Sequence, residues 1–531
     1  MQLIHRRKRA AGWLIAASLF SGSLYAAGPP GTADEIAQIK AQLAAQQAEI
    51  DQLREELHRQ LRATDSPPVA ATPVRAAVTT EPAAITRENP SPFVNASPLQ
   101  LHIGSTSITP VGFMDFTAVF RDRTGGSGIG TNFGSIPFAN TVPGNLSEFR
   151  FSAQNSRIGF RTDATVGGAH MLGYFESDFL GFSPGNAAVS SNSDALRLRL
   201  YWADLRKGKY EVLGGQSWSL LTPNRVGLSP LPGDLFYTQD IDVNYQVGLT
   251  WSRSPGFRFV YHATPRIAMG LSLEASEQYG GGSAGGGVIT LPSNLSSAYS
   301  SQVNTGGNTF SVPNARPDVI TKIAFDPRVG GRDMHIEFAG VSSGFRFYNP
   351  LTQTRYSKQG GGGSVNLNFE VLKKLRIVTN NFYSNGGGRW IFGQGPDLII
   401  RGDGSPSLVR AASTLSGLEC QAGKKWLLYA YYGGAYFGKN VTIDPITGKP
   451  VGYGYSGSPN SQNRSIQEAT FGFTNTFWKD PKYGALQFMT QYSYVTRNPW
   501  YVGPGQPANA HLNMVFLNLR YALPGAPPAV E

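Results

Sequence analysis

Arginines on predicted strands carry the clearest chemistry that this sequence offers. In several segments apolar and polar residues alternate with a period of two, which is typical of strands that have one apolar face. Guanidinium groups gathered on the other face would attract anions and bind carboxylates. Six arginines take that polar parity: Arg157, Arg197, Arg199, Arg520, Arg258 and Arg376.

Four carboxylates are candidates to face these arginines. Glu176 and Asp178 lie on a predicted strand, whereas Asp234 and Asp240 lie in the long segment 214–242. Opposed basic and acidic groups would set up a transverse field that orders polar solutes at a constriction. The alternative is that an arginine pairs with a nearby carboxylate and only stiffens the wall. The surplus of arginine over acid favours small anionic solutes.

The alternating segments predict an all-β transmembrane barrel of about 16 antiparallel strands. Tight turns and long Gly/Ser/Asn/Pro-rich loops alternate between them, which is the layout of outer-membrane barrels. A charged side chain facing lipid at mid-depth costs roughly 2–4 kcal/mol, so we expect the six arginines to point inward. The predicted strands are 108–120, 148–162, 168–180, 194–206, 209–217, 242–262, 266–276, 316–326, 333–345, 362–371, 374–385, 412–421, 424–436, 465–478, 484–496 and 511–523.

The strand at 242–262 contains Pro255-Gly256, which could instead form a hairpin turn. We keep one long strand because the parity of Tyr245, Val247 and Leu249 continues through Phe257. On this interpretation these residues face outward, and the strand count is even.

The composition agrees with a barrel. Only 15% of the residues are charged, against roughly a quarter in an average soluble domain. Mean hydropathy is −0.22, and beyond residue 30 no apolar run is long enough for a membrane-spanning helix. A barrel strand shows lipid only every second residue, so a mildly polar chain can still be a membrane protein.

The N-terminus predicts export. Residues 1–27 read as a signal peptide, with a basic start, an apolar stretch and small residues near Ala26. An uncleaved anchor is the alternative, because the bulky Leu24 or Tyr25 would occupy a position that is usually small. Residues 63–100 form a Pro/Ala-rich linker, 101–524 the barrel and 525–531 a C-terminal tail.

Residues 33–62 predict a periplasmic coiled coil, since apolar residues and two glutamines, Gln46 and Gln60, recur at a and d positions over four heptads. Such a helix cannot bury its stripe alone, so we expect self-association, with a trimer favoured over a single helix docked on the barrel. The seam contains Ile36, Ile39, Leu43, Gln46, Ile50, Leu53 and Leu57.

No catalytic, metal or cofactor motif is found. The single cysteine, Cys420, excludes an internal disulfide. The histidines are isolated from any nucleophile motif, and the basic residues are too scattered for nucleic-acid binding. Two other classes stay open: an outer-membrane barrel hydrolase, and a structural tether whose N-terminal helix contacts peptidoglycan.

The whole arrangement resembles the DcaP-like trimeric porins. The resemblance rests on the coiled coil, on the segments 154–160 and 201–205, and on the long segment 214–242, which sits where general porins fold a loop into the lumen. It implies a homotrimer in outer-membrane lipid and passive uptake of small solutes such as dicarboxylates. One departure is the tail 525–531, because outer-membrane proteins usually end on an aromatic residue.

Overall fold

The computed structural model describes residues 98–125, 128–183, 194–282, 285–306, 311–392 and 395–524. The predicted signal peptide, coiled coil and C-terminal tail, and nearly all of the linker, lie outside the described residues. The described part contains one short α-helix, α1 (Ser296–Ser300), and four 3-10 turns: Phe133–Ser135, Pro143–Asn145, Pro232–Asp234 and Gly388–Trp390. Within this part no helix has the length and apolarity needed to cross a membrane.

Sixteen antiparallel strands form a closed barrel, so the predicted count is confirmed. Closure is made by β1, which pairs with β2 on one side and β16 on the other. The strands are β1 (Thr106–Arg121), β2 (Glu148–Ser152 and Arg157–Val166), β3 (Ala169–Asp178), β4 (Arg197–Lys207), β5 (Tyr210–Trp218), β6 (Arg253–Thr264), β7 (Ile267–Glu274), β8 (Asp318–Phe325), β9 (Arg332–Asn349), β10 (Thr354–Leu372), β11 (Leu375–Asn385), β12 (Arg410–Ala422), β13 (Trp426–Phe437), β14 (Asn463–Asp480), β15 (Gly484–Pro499) and β16 (Ala510–Ala522).

Six short strands accompany the barrel. Leu101–Ile103 pairs with β1, and Arg328–Val329 pairs with β9. The other four form two small hairpins in the loops: Leu398–Ile400 with Pro406–Leu408, and Asn440–Ile443 with Pro450–Tyr453.

The barrel wall is apolar outside and largely polar inside. On β13, Leu428 and Tyr432 are exposed on the outer face, whereas Tyr429 and Tyr431 are buried on the inner face. The same alternation runs through β12, where the buried Glu419 points inward. Each strand therefore presents lipid-compatible side chains on one face only.

Connections differ sharply between the two ends. At the turn end, seven short turns join the strands, and the one between β2 and β3 uses Gly167 and Gly168, both with positive φ. At the loop end most connections are long. One predicted long loop, 346–361, is wrong: β9 and β10 continue as a hairpin joined by residues 350–353. Within the extended part of β10, Gly360 and Gly361 pair with Ser343 and Ser342 of β9.

The predicted strand 242–262 is wrong in its first half, since β6 begins at Arg253. Tyr245, Val247 and Leu249 are buried inside the barrel and do not face outward. Apolar residues packed within a lumen give the same signal as residues that face lipid. Pro255 and Gly256 lie within β6 and form no hairpin turn, as expected.

At the loop end, the long loops pack into an apolar core. Trp251 stacks on Phe392, with ring centroids 5.1 Å apart. The Tyr453 hydroxyl donates to the Gly286 carbonyl over 2.6 Å. The buried residues of this core include Phe133, Ile136, Ile289, Leu295, Tyr299, Trp390, Ile391 and Leu398.

Candidate functional site

Residues 219–252, here named the inward loop, cross the interior of the barrel. The backbone amide of Ile241 donates to Gln491 on β15 over 2.5 Å. The amide of Val247 donates to Glu468 on β14 over 2.9 Å. Because both acceptors are inward-facing side chains, the loop lies in the lumen, where the resemblance placed it.

Two buried ion pairs hold the inward loop near the wall. Arg225 of the loop binds Glu419 on β12 through both guanidinium ends, at 2.8 and 2.7 Å. The Tyr431 hydroxyl donates to the same carboxylate over 2.7 Å. Lys322 on β8 is 3.0 Å from Glu337 and also donates to the Thr222 carbonyl of the loop.

Five of the predicted residues meet on one side of the lumen. Arg199 donates to Glu176 and to Asp178, each over 2.6 Å. Arg197 binds Asp178 at 3.0 and 2.8 Å, and Arg157 lies 3.9 Å from Glu176. The predicted acids Glu176 and Asp178 therefore sit among the arginines and do not oppose them.

A sixth residue, Arg253, completes this group, which we name the arginine wall: Arg157, Arg197, Arg199, Arg253, Glu176 and Asp178. The Arg253 guanidinium lies 5.4 Å from the Trp218 ring centroid and 5.3 Å from that of Trp251. These distances are within the range for a cation–π contact. Nη1 of Arg253 and Nη2 of Arg199 are buried without a hydrogen-bond partner in the described part of the chain.

A β-bulge shapes the arginine wall. Glu176 of β3 pairs with Leu200 of β4, and the next residue, Ser177, pairs with Leu198. Arg199 is therefore the extra residue of the bulge. As a result Arg199 and Leu200 are both buried, and Tyr201 is 64% exposed on the outer face. Strict period-two alternation would put Arg199 and Tyr201 on one face; the structure separates them because the bulge inserts one residue into β4.

Arg520 lies next to the arginine wall. Its guanidinium is 4.0 Å from the Phe113 ring centroid, and that of Arg157 is 5.1 Å from the same ring. Arg520 also binds Asp115 over 2.7 Å.

A cavity of about 340 Å³ opens at the turn end, between the inward loop and the wall. Four cationic and two anionic side chains contribute to its lining, so its charge is net positive. They are Arg157, Arg225, Lys479, Arg520, Glu176 and Asp480.

Asp240 lies in an acidic group with Asp242 and Glu468, here named the acidic patch. In the described chain none of the three is within 4.0 Å of a lysine or arginine nitrogen. Burial and then the charge of Asp242 raise the pKa of Asp240, a residue of the inward loop and not of a strand, well above its usual range. Burial likewise raises the pKa of Asp242, against a smaller opposing effect of Arg121.

The remaining predicted residues lie elsewhere. Arg258 points inward but donates to the Trp218 carbonyl over 2.5 Å. Arg376 is on the inner face of β11, near the Arg225–Glu419 pair. Asp234 ends the 3-10 turn Pro232–Asp234 and is absent from the arginine wall. Asp240 therefore belongs to the acidic patch, and Asp234 belongs to neither group.

Arg253, Arg225 and Glu468 were missed from the sequence. Arg253 fell within the predicted strand 242–262 on the parity assigned to lipid. An arginine there conflicts with the cost of placing charge in lipid, and that conflict was the available signal. Arg225 and Glu419 are 194 residues apart, and no local pattern marks such a pair.

Comparisons with known proteins support the fold. No family model and no curated protein matches this chain. Among solved structures, the outer membrane channel DcaP of Acinetobacter baumannii aligns over 80% of this chain and 99% of that one, with 17% identity and a TM-score of 0.57. This chain has the fold of the DcaP channel.

Weaker alignments were also found. The anion-selective porin from Comamonas acidovorans is 10% identical over 79% of this chain and 100% of its own, with a TM-score of 0.43. Salmonella typhi OmpF, in complex with daunomycin, is 9% identical over 80% of this chain and 100% of its own, also with a TM-score of 0.43.

Proposed function

We propose that this protein is an outer-membrane porin, a passive diffusion channel for small hydrophilic solutes. The support is a closed barrel with an apolar outer face, a lumen lined by charged and amide side chains, and the fold of the DcaP channel. The inward loop narrows that lumen, so solutes would pass between it and the barrel wall.

We further propose that the channel favours anions, and dicarboxylates in particular. The observation that carries this is the arginine wall, where four arginines meet two carboxylates. Arg157 of this wall and the neighbouring Arg520 both line the cavity at the turn end. Nearby guanidinium groups can each bind one carboxylate, so a solute with two carboxylates would gain two charge-assisted contacts.

Solute uptake into proteoliposomes tests this proposal. Swelling should be faster in succinate than in a diamine of similar length, and should stop when the protein is omitted. Equal rates for both solutes would overturn the anion preference, and no swelling with any small solute would overturn the channel.

The homotrimer, the signal peptide and the periplasmic coiled coil belong to the same proposal. Deleting residues 31–64 distinguishes a channel function from the function of an envelope tether that contacts peptidoglycan. A porin whose barrels trimerise through their own walls keeps its swelling rate after the deletion, and only its attachment to the cell wall would change.

A further inference from the structure

The turn end of the barrel carries a ring of basic side chains, here named the basic rim. Six of the seven turns contribute at least one residue to it, and the exception is the Gly167–Gly168 turn. Eleven of the twelve are exposed, and Arg206 is half-buried. The rim consists of Arg206, Lys207, Lys209, Arg266, Arg328, Arg332, Lys373, Lys374, Lys424, Lys425, Lys479 and Lys482.

Carboxylates within these turns do not neutralise the basic rim. Asp326 is buried and binds His335 over 3.0 Å. Asp480 accepts hydrogen bonds from the amides of its own turn, at Lys482 and Tyr483. Asp333 pairs with Arg328 at 3.0 Å, and no other rim residue is within ion-pair distance of a carboxylate in the described chain.

Aromatic side chains flank the rim on the outer face. Trp426 follows Lys425 directly and is 44% exposed, and Trp478 precedes Lys479 and is 40% exposed. Tyr210 and Tyr483 adjoin Lys209 and Lys482 in the same way. Tryptophan and tyrosine settle at the boundary between hydrocarbon and headgroups, so the neighbouring ammonium groups lie at headgroup depth.

We propose that the basic rim binds the phosphate groups of anionic phospholipids in the leaflet at the turn end of the barrel. The long apolar stems of lysine and arginine pack along the aromatic side chains while their charged ends reach the phosphates. The ring extends around the barrel from β4 to β15, so many lipids bind at once. This inference rests on the proposed placement in the outer membrane and not on transport.

The ratio of association constants of spin-labelled phosphatidylglycerol and phosphatidylcholine tests the proposal in reconstituted membranes. For the wild-type chain we expect a ratio of about 5, as expected for one lysine beside an anionic headgroup. A variant carrying Lys207→Gln, Lys209→Gln, Lys424→Gln and Lys425→Gln removes four of the twelve rim charges and should lower this ratio part of the way toward 1. High salt should lower the wild-type ratio in the same direction.

Two matched variants test whether the lipid preference depends on the charge of the rim residues, on their packing or on their position. Lysine-to-arginine changes at the same four positions should keep the preference, because charge is retained. The changes Arg355→Gln, Lys358→Gln, Lys439→Gln and Lys449→Gln remove the same charge at the loop end and should leave the ratio unchanged.

A wild-type ratio of about 1, or a ratio that the rim variant does not lower, would overturn the proposal. So would retention of the wild-type chain by purified peptidoglycan that the rim variant loses, without any lipid preference. The four substituted lysines are outside the candidate pathway, so swelling in succinate should continue in the rim variant. A rim variant that loses lipid preference but still swells supports the lipid proposal. A wild-type chain that prefers anionic lipid but does not swell contradicts only the channel proposal.

Discussion

The arginine wall and the acidic patch both contact the inward loop, but they differ in whether their buried charged groups have partners of opposite charge. On the arginine wall, Glu176 and Asp178 neutralise part of the positive charge through bonds of 2.6 to 3.0 Å. On the acidic patch, Asp240 and Asp242 have no cationic partner within ion-pair distance in the described chain. A buried carboxylate without a cation avoids its desolvation cost by holding a proton.

As a consequence, the electric field in the lumen depends more on the arginine wall than on the acidic patch. Arginine stays charged at any physiological pH, so the arginine wall keeps its surplus. The carboxylates of the inward loop lose their charge first, because their pKa values are raised. The opposed rows of base and acid across a constriction stay a prediction from the sequence.

The largest expected effect comes from removing charge on the arginine wall. Arg199→Gln combined with Arg253→Gln should abolish the anion preference, because the remaining two arginines only balance Glu176 and Asp178. We expect anion permeability to fall roughly 25-fold, taking about 1 kcal/mol for each of the two charges near a passing anion, and we expect a still larger fall in the anion-to-cation permeability ratio, because cations gain from the same change. Reversal potentials in a salt gradient measure it.

The matched control is Arg355→Gln with Arg401→Gln, two exposed arginines at the loop end. It should leave the ratio unchanged. A similar decrease in both variants would mean that overall charge, and not the arginine wall, sets the preference.

A smaller effect should follow from loosening the inward loop. Glu419→Gln leaves Arg225 buried without its carboxylate, and breaking a buried pair in this way costs roughly 3–5 kcal/mol. We expect a noisier and larger single-channel conductance because the loop no longer holds one position.

Adding Arg225→Met to Glu419→Gln removes the uncompensated charge and should restore quiet openings in part. If Glu419→Gln has the wild-type conductance and noise, the Arg225–Glu419 pair does not position the loop.

The smallest effect concerns pH. Asp240 and Asp242 are neutral at low pH and ionise as the pH rises through their raised pKa values. Anion preference should therefore decrease modestly as the pH is raised, and the double variant Asp240→Asn with Asp242→Asn should keep it at high pH. A wild-type preference that increases with pH would contradict the assigned charge states.

The barrel could be predicted from the sequence because period-two alternation and turn residues are local signals. The β1, β3–β5 and β7–β16 assignments needed only adjustment at their ends, whereas the predicted strand 148–162 is interrupted at 153–156. The inward loop could not be predicted in the same way: Tyr245, Val247 and Leu249 are apolar because they pack in the lumen, and alternation alone does not distinguish this from lipid contact.

The candidate site was predicted in part. Arg157, Arg197, Arg199, Glu176 and Asp178 were identified by parity, and the structure brings them together. Their pairing depends on a bulge that adds one residue, Arg199, to β4 between Leu198 and Leu200, which the sequence does not mark. The acidic patch joins the loop to β14 through Glu468, a contact set by closure of the whole barrel.

The proposal of an open, anion-preferring channel is tested by the reversal potential of the purified wild-type channel. The potential is measured in a planar bilayer under a potassium chloride gradient at neutral pH. We expect stepwise openings and a potential of the sign that indicates chloride preference. A potential of the opposite sign, or a membrane that stays silent, would contradict it.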